Sequence, residues 1–336
     1  MKVLVTGGCG YIGSHTCCEL IKSGFDAVII DNLANSEREV VDKLKRITGR
    51  DIKFYEADVC DKDTLSNIFI ENDISAVIHF ASLKDASKSI EDPLKYYKNN
   101  LDSTLTLLEV MREFDCKKLI FSSSAEIYES PERPLPITED YPLETTTPLG
   151  NSKLMIETIL KDIYEADNSW SIALLRYFNP IGAHKSGLLG EEQEGPSCNI
   201  MPSILNVLTG EQEELEIYGG DYNTPDGTCI RDYIHILDLA RGHIKAVEKV
   251  LSTKEIDCYN LGTGKGYSVL DLIRIFERVN NVTIKHKIVD RRNGDAPIRI
   301  ADTAYATRKL GFNPEYDIEE MCKDSYNYIK NRIEKE

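Results

Sequence analysis

The stretch VLVTGGCGYIGSHTCCEL, residues 3–20, decides the fold. An apolar run stops at Thr6, glycines follow at 7, 8, 10 and 13, and residues 13–22 then read as a helix. A strand, a tight glycine turn and a helix open a parallel βαβ unit. The same alternation continues outward. DAVIID (26–31), DIKFYEAD (51–58), ISAVIHF (74–80), KKLIFSS (117–123) and SIALLRYF (171–178) read as strands. They are nearly continuous in Val, Ile and Leu, as strands covered on both faces are. Helical patterns at 63–71 and 95–114 lie between them. The fold class expected is α/β, a doubly wound (Rossmann) parallel sheet over residues 1–178. Past Asn179 the chain becomes rich in Gly, Pro and Asn (NPIGAHKSGLLGEEQEGPSCNIMP). A smaller α+β domain is expected over 179–336, with 231–242 and 259–262 returning to the main sheet and an amphipathic helix at 319–335.

The 336 residues suffice for such a core. A net charge of −16 argues against nucleic acid or an anionic membrane as the main partner. Nine cysteines, at 9, 17, 18, 60, 116, 198, 229, 258 and 322, form no CxxC pair or regular framework. Reduced thiols in a cytoplasmic chain are expected, and no metal site. The chain enters a strand at once and has no apolar run near 18 residues, so neither a signal peptide nor a membrane span is expected.

Gly7, Gly10 and Gly13 allow a backbone to approach a pyrophosphate closely, with the first N–H groups of the helix free to bind it. Glycines also serve plain turns, and the context argues further. Asp31 ends the second strand, 18 residues past Gly13. A carboxylate there accepts from ribose hydroxyls and repels a 2′-phosphate, which favours NAD over NADP. Asp58 in EADV and Phe80-Ala81 end the next two strands, where ligands of such sheets collect.

VTGGCGYIGSHT, DNLANS, VIHFASLK, YYKNN, IFSSSAEIY, GNSKLMIE, SIALLRYFNPIGAH, DGTCIRDYIHILDLARGH, YNLGTG and GDAPIRIAD follow one another along the whole chain. Together they resemble the extended short-chain dehydrogenase/reductase family, and within it the nucleotide-sugar 4-epimerases. The resemblance implies bound NAD as an internal redox partner, a UDP-sugar oxidised at C4 and returned on the other face, and a homodimer built on helices 95–114 and 150–166. It implies that Tyr11, Ile12, Asn32, Asn35, Ser36, Val59, Lys84, Asn99, Ser122 and Tyr177 join the glycines, Asp31, Asp58, Phe80 and Ala81 around the cofactor. Lys153 would hold the nicotinamide ribose and Ser124 the reacting hydroxyl. Asn179, Asn199, Tyr218, Arg231, Arg292, Asp295 and Arg299 would meet the sugar nucleotide, with Leu149 on the sugar wall. Arginines at a pyrophosphate explain how an acidic chain holds an anionic substrate.

The departures from that pattern fall in the reaction pocket. Leu149 stands one turn before Lys153, where the family places the phenol of a Tyr-x-x-x-Lys pair; it moves no proton. Glu126 replaces a small residue, Asp85 and Lys88 add charge, and Arg299 replaces an aromatic ring. Ser124-Ala125-Glu126-Ile127-Tyr128 resembles the T-x-E-x-Y of related 4,6-dehydratases and decarboxylases. Three readings follow: a 4-epimerase in which Glu126, Ser124 or water replaces the phenol, a dehydratase, decarboxylase or 5-epimerase using Glu126, or a binder that has lost its chemistry. A carboxyl in an apolar recess serves as acid or base, while one in solvent or paired with Lys88 or Arg299 does not.

Overall fold

The structure is a computed structural model and describes residues 1–129, 136–191, 199–292 and 294–334. In chain order it runs β1 (Lys2–Thr6), α1 (Tyr11–Lys22), β2 (Asp26–Asp31), α2 (Glu39–Thr48), β3 (Lys53–Glu56), α3 (Lys62–Glu71), β4 (Ile74–His79), α4 (Ala86–Glu91), α5 (Pro93–Glu113), β5 (Lys118–Ser122), α6 (Pro148–Ala166) and β6 (Ser171–Tyr177). The second half adds β7 (Asn179–Ile181), α7 (Ile200–Thr209), β8 (Leu215–Tyr218), β9 (Ile230–His235), α8 (Ile236–Ser252), β10 (Ile256–Leu261), β11 (Gly266–Ser268), α9 (Val269–Asn280), β12 (His286–Val289), β13 (Ile298–Arg299), α10 (Ala304–Leu310) and α11 (Ile318–Ile333).

Seven parallel strands form the main sheet in the order β10-β6-β5-β4-β1-β2-β3. The order reverses at β1, so the loops after β1 and β4 diverge and leave a crevice at their carboxyl ends. The inner strands are buried on both faces, whereas β3 lies at the edge and is half-exposed. One face packs on α1, α2, α8 and α10, the other on α3, α5 and α6. Each fully buried Leu, Ile or Val there contributes about 1.5–3 kcal/mol before the loss of chain entropy.

Segment 231–242, expected to rejoin the main sheet, divides instead. β9 pairs with β7, β11 and β13 in a separate four-stranded sheet, and only the following helix α8 lies on the main sheet. Segment 259–262 does rejoin it, as the end of β10. α10, from the half read as a second domain, also packs on β10 and α8. The smaller unit keeps its own core among α7, α9, α11 and β8. Buried carboxylates tie its loops together. Asp232 accepts from the N–H groups of Thr263, Gly264 and Ala301, and Asp238 from those of Glu315 and Tyr316.

The eight described cysteines are free thiols, and Cys198 lies outside the described residues. The C-terminal helix spans 318–333, and residue 335, to which it was expected to extend, lies outside the described residues. No described helix is long and apolar enough to cross a membrane.

Candidate functional site

A single cavity of about 790 Å³ opens at the carboxyl ends of the main strands and runs beneath the smaller unit. Every site residue expected from the sequence lines it, from Gly7, Gly10 and Gly13 at one end to Arg231, Arg292, Asp295 and Arg299 at the other.

The glycine end is built for close backbone approach. Gly10 is the N-cap of α1, Gly7 has φ +68°, and a Cβ on Gly7 would lie 2.9 Å from Ala81 N. A Cβ on Gly13 would lie 2.3 Å from Gly7 O. No side chain but hydrogen fits either place, which keeps the end of β1 against α1 and the end of β4. The Tyr11 hydroxyl donates to Gly182 O at 2.7 Å, so this ring ties the glycine turn to the chain after β7.

Asp31 is buried and accepts from Cys9 N (3.0 Å), Leu33 N (2.9 Å) and Ser36 Oγ (3.0 Å). A carboxylate has about four acceptor positions, so one remains for a ribose hydroxyl. Asn32 Nδ2 donates to Asp58 Oδ2 at 2.9 Å, which joins the ends of β2 and β3. Burial pushes the Asp58 carboxyl up, but bonds from Cys60 N and Asn32 prevail and hold it below its ordinary value. A glycine cradle at a helix N-terminus beside a buried carboxylate fits the pyrophosphate and adenosine ribose of a dinucleotide.

In the middle of the cavity α6 presents Leu149 and Lys153, with Glu157 one turn further along the same buried face. Thr147 caps this helix by accepting from Gly150 N, and Pro148 occupies its first turn. Lys153 Nζ donates to Ser122 O (2.9 Å) and Ser82 Oγ (3.2 Å), leaving one N–H for a ligand. Burial lowers its pKa to about 8 against the opposing pull of Glu126. The Tyr177 hydroxyl meets Ser122 Oγ at 2.9 Å. Ser124 Oγ accepts from Glu126 N at 3.1 Å and so turns Glu126 into the cavity. Glu126 is accessible to solvent, but that exposure is to the cavity, which walls the carboxyl in. Burial raises its pKa, opposed chiefly by Arg299. Arg299 is no ion-pair partner within 4.0 Å; its Nη1 donates to Ala125 O at 2.6 Å. Lys88 pairs weakly with Asp85 (3.9 Å), which caps α4, and forms no ion pair with Glu126.

At the far end Arg231 and Arg292 bracket Asp295, at 3.6 and 3.2 Å. Arg292 also lies over the Tyr218 ring, 4.4 Å from its centroid. Two guanidiniums against one carboxylate leave net positive charge facing the cavity, as a diphosphate requires. Two residues unforeseen in the sequence support this site, Glu191 in the lining and Asn100 buried behind it. Glu191 accepts from Asn199 Nδ2 (3.1 Å), lies 4.0 Å from Lys84 Nζ, and is pushed up by burial. Asn100 clamps the loop after β4 by accepting from Leu83 N (2.8 Å) and donating to Ser152 Oγ (3.1 Å). Asn100 was signalled by YYKNN, where the two asparagines divide the work; Glu191 sits among other acids with nothing to distinguish it.

A reversing parallel sheet with a glycine cradle, a buried lysine and an arginine-lined extension defines a dinucleotide-binding protein with room for a second, phosphorylated ligand. The sequence model of the GDP-mannose 4,6 dehydratase family matches residues 4–325, and the chain belongs to that family. It is 52% identical to the UDP-glucose 4-epimerase of Bacillus subtilis (strain 168), over 99% of this chain and 98% of that protein. The crystal structure of UDP-glucose 4-epimerase from Bifidobacterium longum, in complex with NAD+ and UDP, superposes with a TM-score of 0.95 at 46% identity, covering 99% of both chains. That of the Stenotrophomonas maltophila enzyme, with NAD and formylated UDP-arabinopyranose, gives 0.97 at 40% identity over the whole of both chains.

Proposed function

We propose that this protein is an NAD-dependent epimerase that inverts C4 of UDP-sugars, interconverting UDP-glucose and UDP-galactose. One observation carries the reading: a single cavity joins the glycine cradle and Asp31 to Lys153 and Ser124, and these to the Arg231–Arg292 pair. Bound NAD, held by the glycine turn, Asp31 and Lys153, would supply the two-electron redox chemistry needed at C4. The chain's own residues hold the partners. The α1 N-terminus and Asp31 bind the pyrophosphate and ribose, and Lys153 gives its remaining N–H to the nicotinamide ribose. Asn179, Asn199, Tyr218, Arg231 and Arg292 grip the uridine diphosphate, and Ser124 bonds the 4-hydroxyl. Incubation with UDP-galactose tests this, with UDP-glucose expected to accumulate to equilibrium.

The same reading makes the protein a cytoplasmic homodimer. Its free thiols suit a reducing compartment. Leu94 (80% exposed) and Leu105 (43%) lie about three turns apart on one face of α5, and Met155 is exposed on the adjoining α6. Apolar side chains so placed on two packed helices support a helical interface with a second copy.

A further inference from the structure

We infer that Glu126 is the group that takes the proton from the sugar's 4-hydroxyl and returns it, the task Leu149 cannot perform. This rests on the C4-epimerase reading above. The proton-exchanging side chains of the cavity include Lys153, Tyr177, Ser124 and Glu126, while the carboxylate of Asp295 is held between Arg231 and Arg292. Lys153 is committed as a donor to Ser122 O and Ser82 Oγ. The Tyr177 phenol is engaged with Ser122 Oγ, no hydrogen bond joins it to Lys153, and burial first, with the charge of Glu126 adding, raises its pKa. A serine hydroxyl relays a proton but does not keep one. The Glu126 carboxyl, by contrast, makes no side-chain hydrogen bond or ion pair among the described residues and faces the cavity two residues beyond Ser124.

The step balances. The O4–H bond breaks and the proton passes, through the Ser124 hydroxyl or directly, to a Glu126 oxygen, forming an O–H bond. The electrons of O4–H become the second bond of C4=O as C4 gives up its hydrogen and electron pair to the oxidised dinucleotide. Reversal after the sugar turns returns the proton to O4. The charged and titratable groups facing Glu126 are Arg299 on β13, Asp295 and Arg292 in the segment before it, Arg231 on β9, Lys153 on α6 and Tyr177 on β6. Burial raises its pKa, and Arg299 limits the rise, which moves a carboxyl toward the working range of a general base.

Glu126→Gln keeps shape and hydrogen bonding but cannot ionise. With purified full-length protein, E126Q should lower kcat on UDP-galactose by ~10²–10⁴-fold with KM little changed, while isothermal titration shows UDP bound as in the parent. Adding Leu149→Tyr to E126Q should recover part of the rate, because a phenol at 149 stands one turn before Lys153. Turnover in deuterated water should leave C5 of the sugar unlabelled. Infrared titration of the parent minus E126Q should show a carboxylic acid band disappearing above the ordinary glutamate range, whether or not sugar turns over. E126Q at the parental rate, deuterium at C5, or no such band would each overturn the assignment. A parent inert on UDP-galactose that still shows the band would count instead against the epimerase reading.

Discussion

Arg176→Met is the most demanding test of how this fold holds its site. Arg176 and Glu157 are 2% and 0% exposed and bind each other twice, Nε to Oε1 at 2.9 Å and Nη2 to Oε2 at 2.6 Å. Arg176 also donates to the Tyr128 hydroxyl (3.0 Å) and Glu139 O (2.9 Å), while Glu157 accepts from Ser123 Oγ (2.6 Å). The pair thus fixes α6, one turn past Lys153, to β6 and to the serine loop that ends at Ser124. Methionine fills much of the volume but leaves Glu157 a buried charge supported by Ser123 and a long contact to the Lys161 ammonium (3.9 Å). Breaking a buried pair from one side costs about 3–5 kcal/mol. At roughly 2–4 °C per kcal/mol for a large domain, Tm should fall by roughly 6–20 °C, toward the lower figure in a chain of this length. Differential scanning calorimetry at neutral pH reads it. Removing both charges in Arg176→Met/Glu157→Leu should recover most of the loss. A single variant melting within roughly 2 °C of the parent, a shift of under about 1 kcal/mol, would refute the assigned role of the pair.

Other consequences are as direct. In Gly13→Ala the new Cβ meets backbone at 2.3 and 2.8 Å, which no rotamer relieves, so NAD binding followed by fluorescence should weaken ~10-fold or more, about 1.4 kcal/mol. Burial pushes His15 and His79 down to about 3 and His184 and His243 to about 4, so the unfolded chain binds protons that the fold refuses. Their contribution is full above the unfolded value of about 6.5 and is lost as pH falls below it, at ~1.4 kcal/mol per pH unit for each group. Urea unfolding between pH 6.5 and 5 should show a shallower decline in His15→Gln than in the parent; equal slopes would contradict this. Leu94→Glu with Leu105→Glu should halve the mass seen by light scattering while leaving the far-UV spectrum intact, and an unchanged mass would place the dimer contact elsewhere.

The sequence spoke clearly where local chemistry and tertiary structure agree. β1, the glycine turn and α1 form from adjacent residues, and the main strands are buried on both faces, so uninterrupted apolar runs mark them. Position and role were less evenly legible at the site. Motif matching brought Asp31, Lys153 and Arg231 into one cavity, yet the division of 231–242 between two layers was hidden. β9 pairs with strands of two or three residues, at 179–181, 266–268 and 298–299, too short for a period-2 pattern to show. Glu191 and the Arg176–Glu157 pair were equally invisible, because a charged residue becomes a buried partner only through contacts set by distant chain. RDYIHILDLA reads as a site motif, but its Asp232 and Asp238 serve mainly to bind backbone N–H groups.

The most direct test of the central claim is anomeric-proton NMR of UDP-galactose incubated with the NAD-loaded protein. The account predicts that the UDP-galactose signal declines as that of UDP-glucose grows, to the same ratio reached from UDP-glucose. UDP-galactose left unchanged by folded protein that holds both NAD and UDP would contradict it.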